Sequence, residues 1–183
     1  MIRKAVATDA DEIIELMLLA MGDLPYKFIA SQDKMAAFSL LKLFVLKDGN
    51  QYSLENTFVE EQDGVVVGAI NAYDGEQIEK LRQPFFHYIR ERFHEGNFEM
   101  ELESEAGEFY IDTVAVDPKY QGQGIGKNLI IHVIDHAKSL NFDKVGLLVS
   151  NPYAKRLYEK LGFEKVGNRN LLGKTHEHLV FRV

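Results

Sequence analysis

Apolar and polar positions along the chain change period from segment to segment, and the period assigns the elements. Met1 to Val6 reads as a short strand, and Thr8 or Asp9 then caps a helix whose apolar positions Ile13, Leu16, Met17 and Ala20 keep helical spacing. A second helix is expected from Ser31 to Leu46, with Met35, Phe38, Leu41 and Val45 on one side and Gly49 placed to end it. Residues 22 to 30 between the two helices read as loop. Thr57 to Glu61 and Val65 to Tyr73 are β-rich runs joined across Gln62-Asp63-Gly64, and Asp-Gly favours a tight turn, so an antiparallel hairpin is expected.

Helical spacing returns from Glu76 to Phe93 through Ile78, Leu81, Phe85, Ile89 and Phe93, with Pro84 expected to kink the helix or begin a second one. Phe98, Met100 and Leu102 alternate with Glu99, Glu101 and Glu103, the pattern of a half-exposed strand. Glu108 to Asp117 is a further strand, and Gly124 to Leu140 a helix with Ile125, Leu129, Ile130, Val133, Ile134 and Ala137 on its buried stripe. Strand Lys144 to Val149, helix Pro152 to Leu161 and strands near Phe163 to Val166 and Thr175 to Val183 complete the chain. This order predicts an α/β protein, a sheet with helices packed on both faces.

Length and composition narrow the class. A chain of 183 residues suits one domain, residues 1–183, and 46% hydrophobic with 27% charged residues is a globular composition. No apolar run approaches the roughly 18 residues that span a bilayer, and Met1 to Thr8 lack a signal peptide's apolar stretch, so a cytoplasmic location is expected. Without cysteine there is no thiolate nucleophile and no thiolate metal site. The net charge of −7 disfavours nucleic acid and anionic membranes as partners. Asp74 to Glu108 holds ten acidic and four basic side chains, leaving a net of only −1 for the rest of the chain.

The densest chemical signal is Val114-Ala-Val-Asp-Pro-Lys-Tyr-Gln-Gly-Gln-Gly-Ile-Gly126, a strand that breaks at Pro118 and passes through a glycine-rich turn into a helix. Glycines at 122, 124 and 126 allow close backbone approach, and the free N–H groups of a first helical turn favour a bound anion. A nucleotide P-loop is excluded, because Gln121 stands at its first glycine and Asn128 at its hydroxyl. A dinucleotide fingerprint starting at Gly122 fails at Lys127, and the acid it needs, Asp143, precedes the next strand instead of ending it.

The stretch resembles the signature of the GNAT superfamily of N-acetyltransferases, Gln/Arg-x-x-Gly-x-Gly/Ala, met by Gln121, Gly124 and Gly126. The strand-helix opening of the chain, the Val114-Ala-Val-Asp-Pro run and Ser150-Asn-Pro-Tyr-Ala-Lys-Arg-Leu-Tyr-Glu-Lys-Leu-Gly-Phe163 extend the likeness to most of the chain except Asp74 to Gly107. The resemblance implies a GNAT acyl-coenzyme A N-acyltransferase fold, a mixed central sheet of about six to seven strands flanked by helices. Residues 74–107 would be a helical or extended substrate-side insertion between the third and fourth strands.

It further implies an N-acetyltransferase moving acetyl from acetyl-coenzyme A to a primary amine of a small molecule or peptide, within a ternary complex and without metal. The loop of Gln121, Gly122, Gln123, Gly124, Ile125, Gly126 and Lys127 would seat the pyrophosphate. Backbone groups of Val114 and Val116 would pair with the pantetheine arm while Ala115 packs away from it, and Asn151 and Ala154 would contact the cofactor. Tyr158 matches the family's general acid, although Ala154, Leu157, Tyr158 and Leu161 at i, i+3, i+4, i+7 equally describe a core stripe.

A protonated acceptor needs a base, and Glu108, Tyr110 and Asp112 alternate on one face of the strand beside the thioester, making Asp112 the first choice. A strand N–H near Val114 would meet the carbonyl oxyanion. His132 and His136, at i, i+4, fall opposite their helix's buried stripe and read as solvated; His176 and His178 share one side of the last strand with no third metal ligand signalled. Phe85, Phe86, Tyr88 and Phe93 line a pocket, pack the insertion, or form the face of a homodimer. The insertion's acidic excess either attracts a cationic acceptor or confers solubility. The rival class is a non-catalytic acetyl-coenzyme A sensor or interaction module.

Overall fold

A computed structural model describes residues 1–183. Seven strands, β1 Ile2–Lys4, β2 Thr57–Gln62, β3 Val65–Asp74, β4 Phe109–Val116, β5 Lys144–Val149, β6 Glu164–Leu171 and β7 Lys174–Arg182, form one mixed sheet in the order β1-β2-β3-β4-β5-β7-β6. Only β4 and β5 run parallel. The β2–β3 hairpin turns on Asp63 and Gly64, both at positive φ (51° and 80°), as the Asp-Gly pair predicts.

Helices α1 Ala10–Met21, α2 Leu24–Phe28, α3 Lys34–Val45 and α4 Ile78–Phe93 contribute to one buried cluster, and α5 Ile125–Ser139 with α6 Pro152–Lys160 to a second. Several helix boundaries and faces differ from expectation. Asp9 precedes α1 but gives its carboxylate to the Arg3 guanidinium at 2.6 and 2.9 Å instead of capping the helix, and Ala20 is exposed. Residues 24–28 are helical, with Pro25 tolerated in the first turn where its missing N–H has no partner to lose. Asp33 caps α3, accepting from Met35 N and Ala36 N, so the buried face is Ala37, Leu40, Leu41, Phe44 and Val45, and Met35 is 70% exposed.

The segment between β3 and β4 departs most. Pro84 does not divide α4, which runs as one helix because Phe85, Phe86 and Ile89 are all buried. At about 1.5–3 kcal/mol for each such side chain, their burial outweighs the roughly 3 kcal/mol of an interior proline. Phe85 and Phe86 join Phe28, Phe44, Tyr52 and Phe98 in an edge-to-face aromatic cluster, so they pack the insertion. Phe98 to Glu103 is not a strand. Arginines satisfy its carbonyls in place of a neighbouring chain: Arg90 Nε donates to Phe98 O at 2.6 Å, and Arg82 Nη1 to Met100 O and Glu101 O at 3.1 Å.

Two glycines set the sheet's contacts near the cleft. At Gly68 a methyl group would come within 2.9 Å of Ile125 Cγ2, so glycine lets the start of α5 settle onto β3. At Gly146 it would fall 2.1 Å from Glu108 Oε2, the carboxylate that holds His178 Nε2 at 2.9 Å across β5. Gly146→Ala is therefore expected to lose about 2–3 kcal/mol, because it overpacks the sheet and unseats a fully buried carboxyl from its hydrogen-bond partner His178. Urea unfolding checks this, and an unchanged midpoint would refute the close fit.

Candidate functional site

Strand β4 creates the site by departing from regular pairing. Opposite β3, Asn71 pairs with Thr113 and Ala72 with Ile111, so Asp112 is the extra residue of a β-bulge. Parallel pairing with β5 covers only Phe109 to Ile111 against Val145 to Leu147. Beyond the bulge the two strands part, and a cleft of about 880 Å³ opens between them. It continues from the start of α5 past the β4–β5 fork to Leu19–Leu24, Tyr52 and the β6–β7 turn.

The wall formed by β4 has a free backbone edge. Asp117 N donates to Val67 O at 2.9 Å on the β3 side, and in an antiparallel pair bonding alternates. Thr113 and Ala115 therefore also face β3, while the N–H and C=O of Val114 and Val116 face the cleft. Gln121 Nε2 donates to Val116 O at 3.1 Å, as this orientation requires. Val114 N–H and C=O are left as the edge an extended amide chain would join.

At the cleft's other end the chain turns through Gly122 and Gly124, both at positive φ (80° and 83°), and enters α5 at Ile125. No side chain caps this helix, so the first-turn N–H groups are unclaimed and the dipole's positive end faces the cleft. A methyl group at Gly126 would meet Val116 Cγ2 at 3.6 Å and Leu157 Cδ2 at 3.9 Å, ordinary contacts that the fold would accept. The residues present thus fit a diphosphate and a pantetheine arm.

Every expected site residue except Gln123 is on the cleft wall: Asp112, Val114, Ala115, Val116, Gln121, Gly122, Gly124, Ile125, Gly126, Lys127, Asn151, Ala154 and Tyr158. Asn151 Oδ1 caps α6, accepting from Tyr153 N at 2.8 Å and Ala154 N at 3.4 Å, which leaves only its amide nitrogen for a ligand. Tyr158 is 8% exposed and stands edge-on to Phe163 with centroids 5.8 Å apart, as its core spacing predicts, and it also borders the cleft. Its hydroxyl has no protein partner, and burial pushes its pKa up to about 12.

Asp112 is half-buried, and its Oδ2 accepts from Tyr73 OH at 2.7 Å and Gln51 Nε2 at 3.3 Å. Burial raises its pKa from 3.8 to about 6, against the lowering effect of those two hydrogen bonds. Glu108, expected beside it, is instead turned away into the His178 pair, and its neighbour Glu105 holds Arg169 at 2.6 Å. Atoms of Glu105, Glu108 and His178 gather within 4.8 Å, a grouping the sequence did not signal, but each already has a protein partner. His132 and His136 are not simply solvated: both lie edge-on to Phe58, at 4.6 and 5.1 Å, and burial lowers their pKa values.

Sequence reasoning missed Tyr73 and Gln51, which hold Asp112, and Glu103, which lines the cleft beside it. The alternation around Phe98 had placed Glu103 on a solvated strand face, whereas it is 6% exposed.

The sequence model of the Acetyltransferase (GNAT) family matches residues 26–163. N-alpha-acetyltransferase RimI of Mycobacterium tuberculosis (strain ATCC 25618 / H37Rv) is 37% identical over 62 residues, which are 34% of this chain and 39% of that protein. The alignment therefore spans well under two thirds of this relative. Among solved structures, an acetyltransferase superposes with a TM-score of 0.83 at 26% identity, covering 100% of this chain and 99% of that one. An N-acetyltransferase from Staphylococcus aureus Mu50 superposes with a TM-score of 0.85 at 22% identity, covering 99% and 100%, a likeness of fold. No helix is long and apolar enough to cross a membrane.

Proposed function

Because the chain belongs to the acetyltransferase (GNAT) family, we propose that it transfers acetyl from acetyl-coenzyme A directly to a primary amine held in the same cleft. The observation that carries this reading is one cleft that brings together a free strand edge beyond the bulge, an uncapped helix start at α5 and, at Asp112, a carboxylate of raised pKa. Acetyl-coenzyme A supplies the activated thioester. First-turn amides of α5 hold the diphosphate, Val114 aligns the arm, and its N–H receives the carbonyl oxygen as charge develops there.

Asp112 removes a proton from the acceptor, and Tyr158 donates one toward the departing sulfur. A passive sensor would need only the cofactor half of the cleft. The extension past the fork to Leu19–Leu24 and Tyr52 provides room for an acceptor and favours transfer.

Thiol release from acetyl-coenzyme A in the presence of a primary-amine panel tests the activity. Gly126→Asp tests the seat: a carboxylate set in the first turn of α5 should repel the diphosphate and lower acetyl-coenzyme A affinity at least about tenfold. Melting temperature should not fall, because a β-carbon at this position meets only ordinary contacts and an acid in a first helical turn favours the helix. Unchanged affinity would remove the diphosphate from this helix start.

A further inference from the structure

We propose that Glu103 is the countercharge for the acceptor's ammonium group, so that the protein selects alkylammonium acceptors with a carboxylate carried by the segment between β3 and β4. This rests on the acyl-transfer reading of the cleft. Glu103 is 6% exposed, and what opening it has is onto the cleft wall, beside Asp112, Tyr52 and Tyr110. It makes no side-chain hydrogen bond and has no ion-pair partner. Three acids near it in sequence are engaged: Glu101 Oε2 accepts from Leu172 N at 2.9 Å, Glu105 holds Arg169 at 2.6 Å, and Glu108 holds His178 at 2.9 Å. Arg82, the cation whose field reaches Glu103 and offsets part of its burial, makes no ion pair with it: Nη1 donates to Met100 O and Glu101 O at 3.1 Å, and Nε is buried without a partner.

A buried carboxylate without a partner is costly to keep, and a ligand cation is the group that would compensate it. An ammonium has three N–H donors, enough to reach both Glu103 and Asp112 and leave one for a tyrosine oxygen. Burial, reinforced by the charge on Asp112, raises the Glu103 pKa well above its ordinary value, against the lowering effect of Arg82, so the carboxyl holds a proton more readily than a free one and a bound cation promotes its release. When the ammonium binds, Glu103 loses that proton to solvent and pairs with the cation. Asp112 then takes one proton from the nitrogen, the N–C bond forms, and the C–S bond breaks. Tyr158 protonates the leaving sulfur and recovers a proton from the former amine nitrogen. After Glu103 and Asp112 reset, acetyl-coenzyme A and R–NH3⁺ have become the amide, coenzyme A and one released proton.

The test measures binding and turnover separately. Coenzyme A-loaded protein is titrated calorimetrically with n-butylamine, putrescine and phenethylamine, with n-butanol as the uncharged control, in two buffers of different ionisation enthalpy. Wild type should bind the amines at least about 100-fold more tightly than n-butanol and release about one proton per amine bound. Glu103→Gln should weaken amine binding and raise the amine KM at least about tenfold, abolish the proton release, and leave the acetyl-coenzyme A KM within about twofold. Glu105→Gln, a neighbouring charge change outside the cleft, should leave the amine KM unaltered.

Amine binding within twofold of wild type in Glu103→Gln overturns the inference, as does a wild type with no preference for amine over n-butanol. That last comparison needs no variant to fold. Charge-dependent binding lost in Glu103→Gln without turnover of any amine in wild type would sink the transfer reading and leave the ammonium site standing. Turnover that is indifferent to Glu103 would do the reverse.

Discussion

Asp112→Asn is expected to lower kcat/KM for the amine by about 10²–10³-fold, the scale of a lost general base, and to abolish the acid limb of the pH profile. The side chain sits on the bulge, held by Tyr73 OH and Gln51 Nε2, and burial lifts its pKa to about 6. In wild type, kcat/KM should therefore fall more steeply below that pH than above it, by about a further tenfold per unit, as the base is protonated. Stability moves the other way. The folded-state pKa is raised above its ordinary value, so protonation favours the fold fully below 3.8, and that benefit is lost as pH rises through about 6. The asparagine variant should consequently be at least as stable as wild type at pH near 8, where the ionised aspartate is a burden. A variant that is fully active, or one whose loss of activity follows unfolding, would remove Asp112 from the chemistry.

Tyr158→Phe is expected to lower kcat by about 10²-fold while leaving acetyl-coenzyme A binding and the melting temperature nearly unchanged. Phenylalanine keeps the edge contact with Phe163, and the hydroxyl that is removed has no protein partner to orphan. With its pKa pushed to about 12, Tyr158 is protonated throughout the working range and enters the reaction as a donor. Leaving as a bare thiolate into the same poorly solvated surroundings raises the thiol's own pKa, which narrows the gap between donor and acceptor. Steady-state kinetics read the effect. Equal kcat values would mean that solvent protonates the sulfur and that Tyr158 serves packing alone.

What the sequence reveals of this architecture is what short-range chemistry controls. The Asp63-Gly64 turn, the Gln121 to Gly126 passage into a helix and the stripe of α5 depend on neighbours within a few residues, and each is legible. The bulge at Asp112 depends on register with β3, forty residues away in the chain, so periodicity names the acid without revealing why it projects into a cleft. Phe98 to Glu103 alternates like a strand, yet guanidinium groups from α4 take the carbonyls a neighbouring strand would have taken. No local pattern announces that substitution, and with it went the position of Glu103. Met35 and Ala20 fail for a simpler reason: apolar spacing marks a face as buriable, and tertiary packing chooses which face is buried.

The fork between β4 and β5 leaves the middle of the sheet with only three paired positions, Phe109 to Ile111 on Val145 to Leu147. A guest whose amides lie along Val114 would act as a temporary eighth ribbon, extending the ladder where the polypeptide itself stops. Folding and loading would then be a single linked equilibrium, with the donor thioester raising the stability of the fold by mass action.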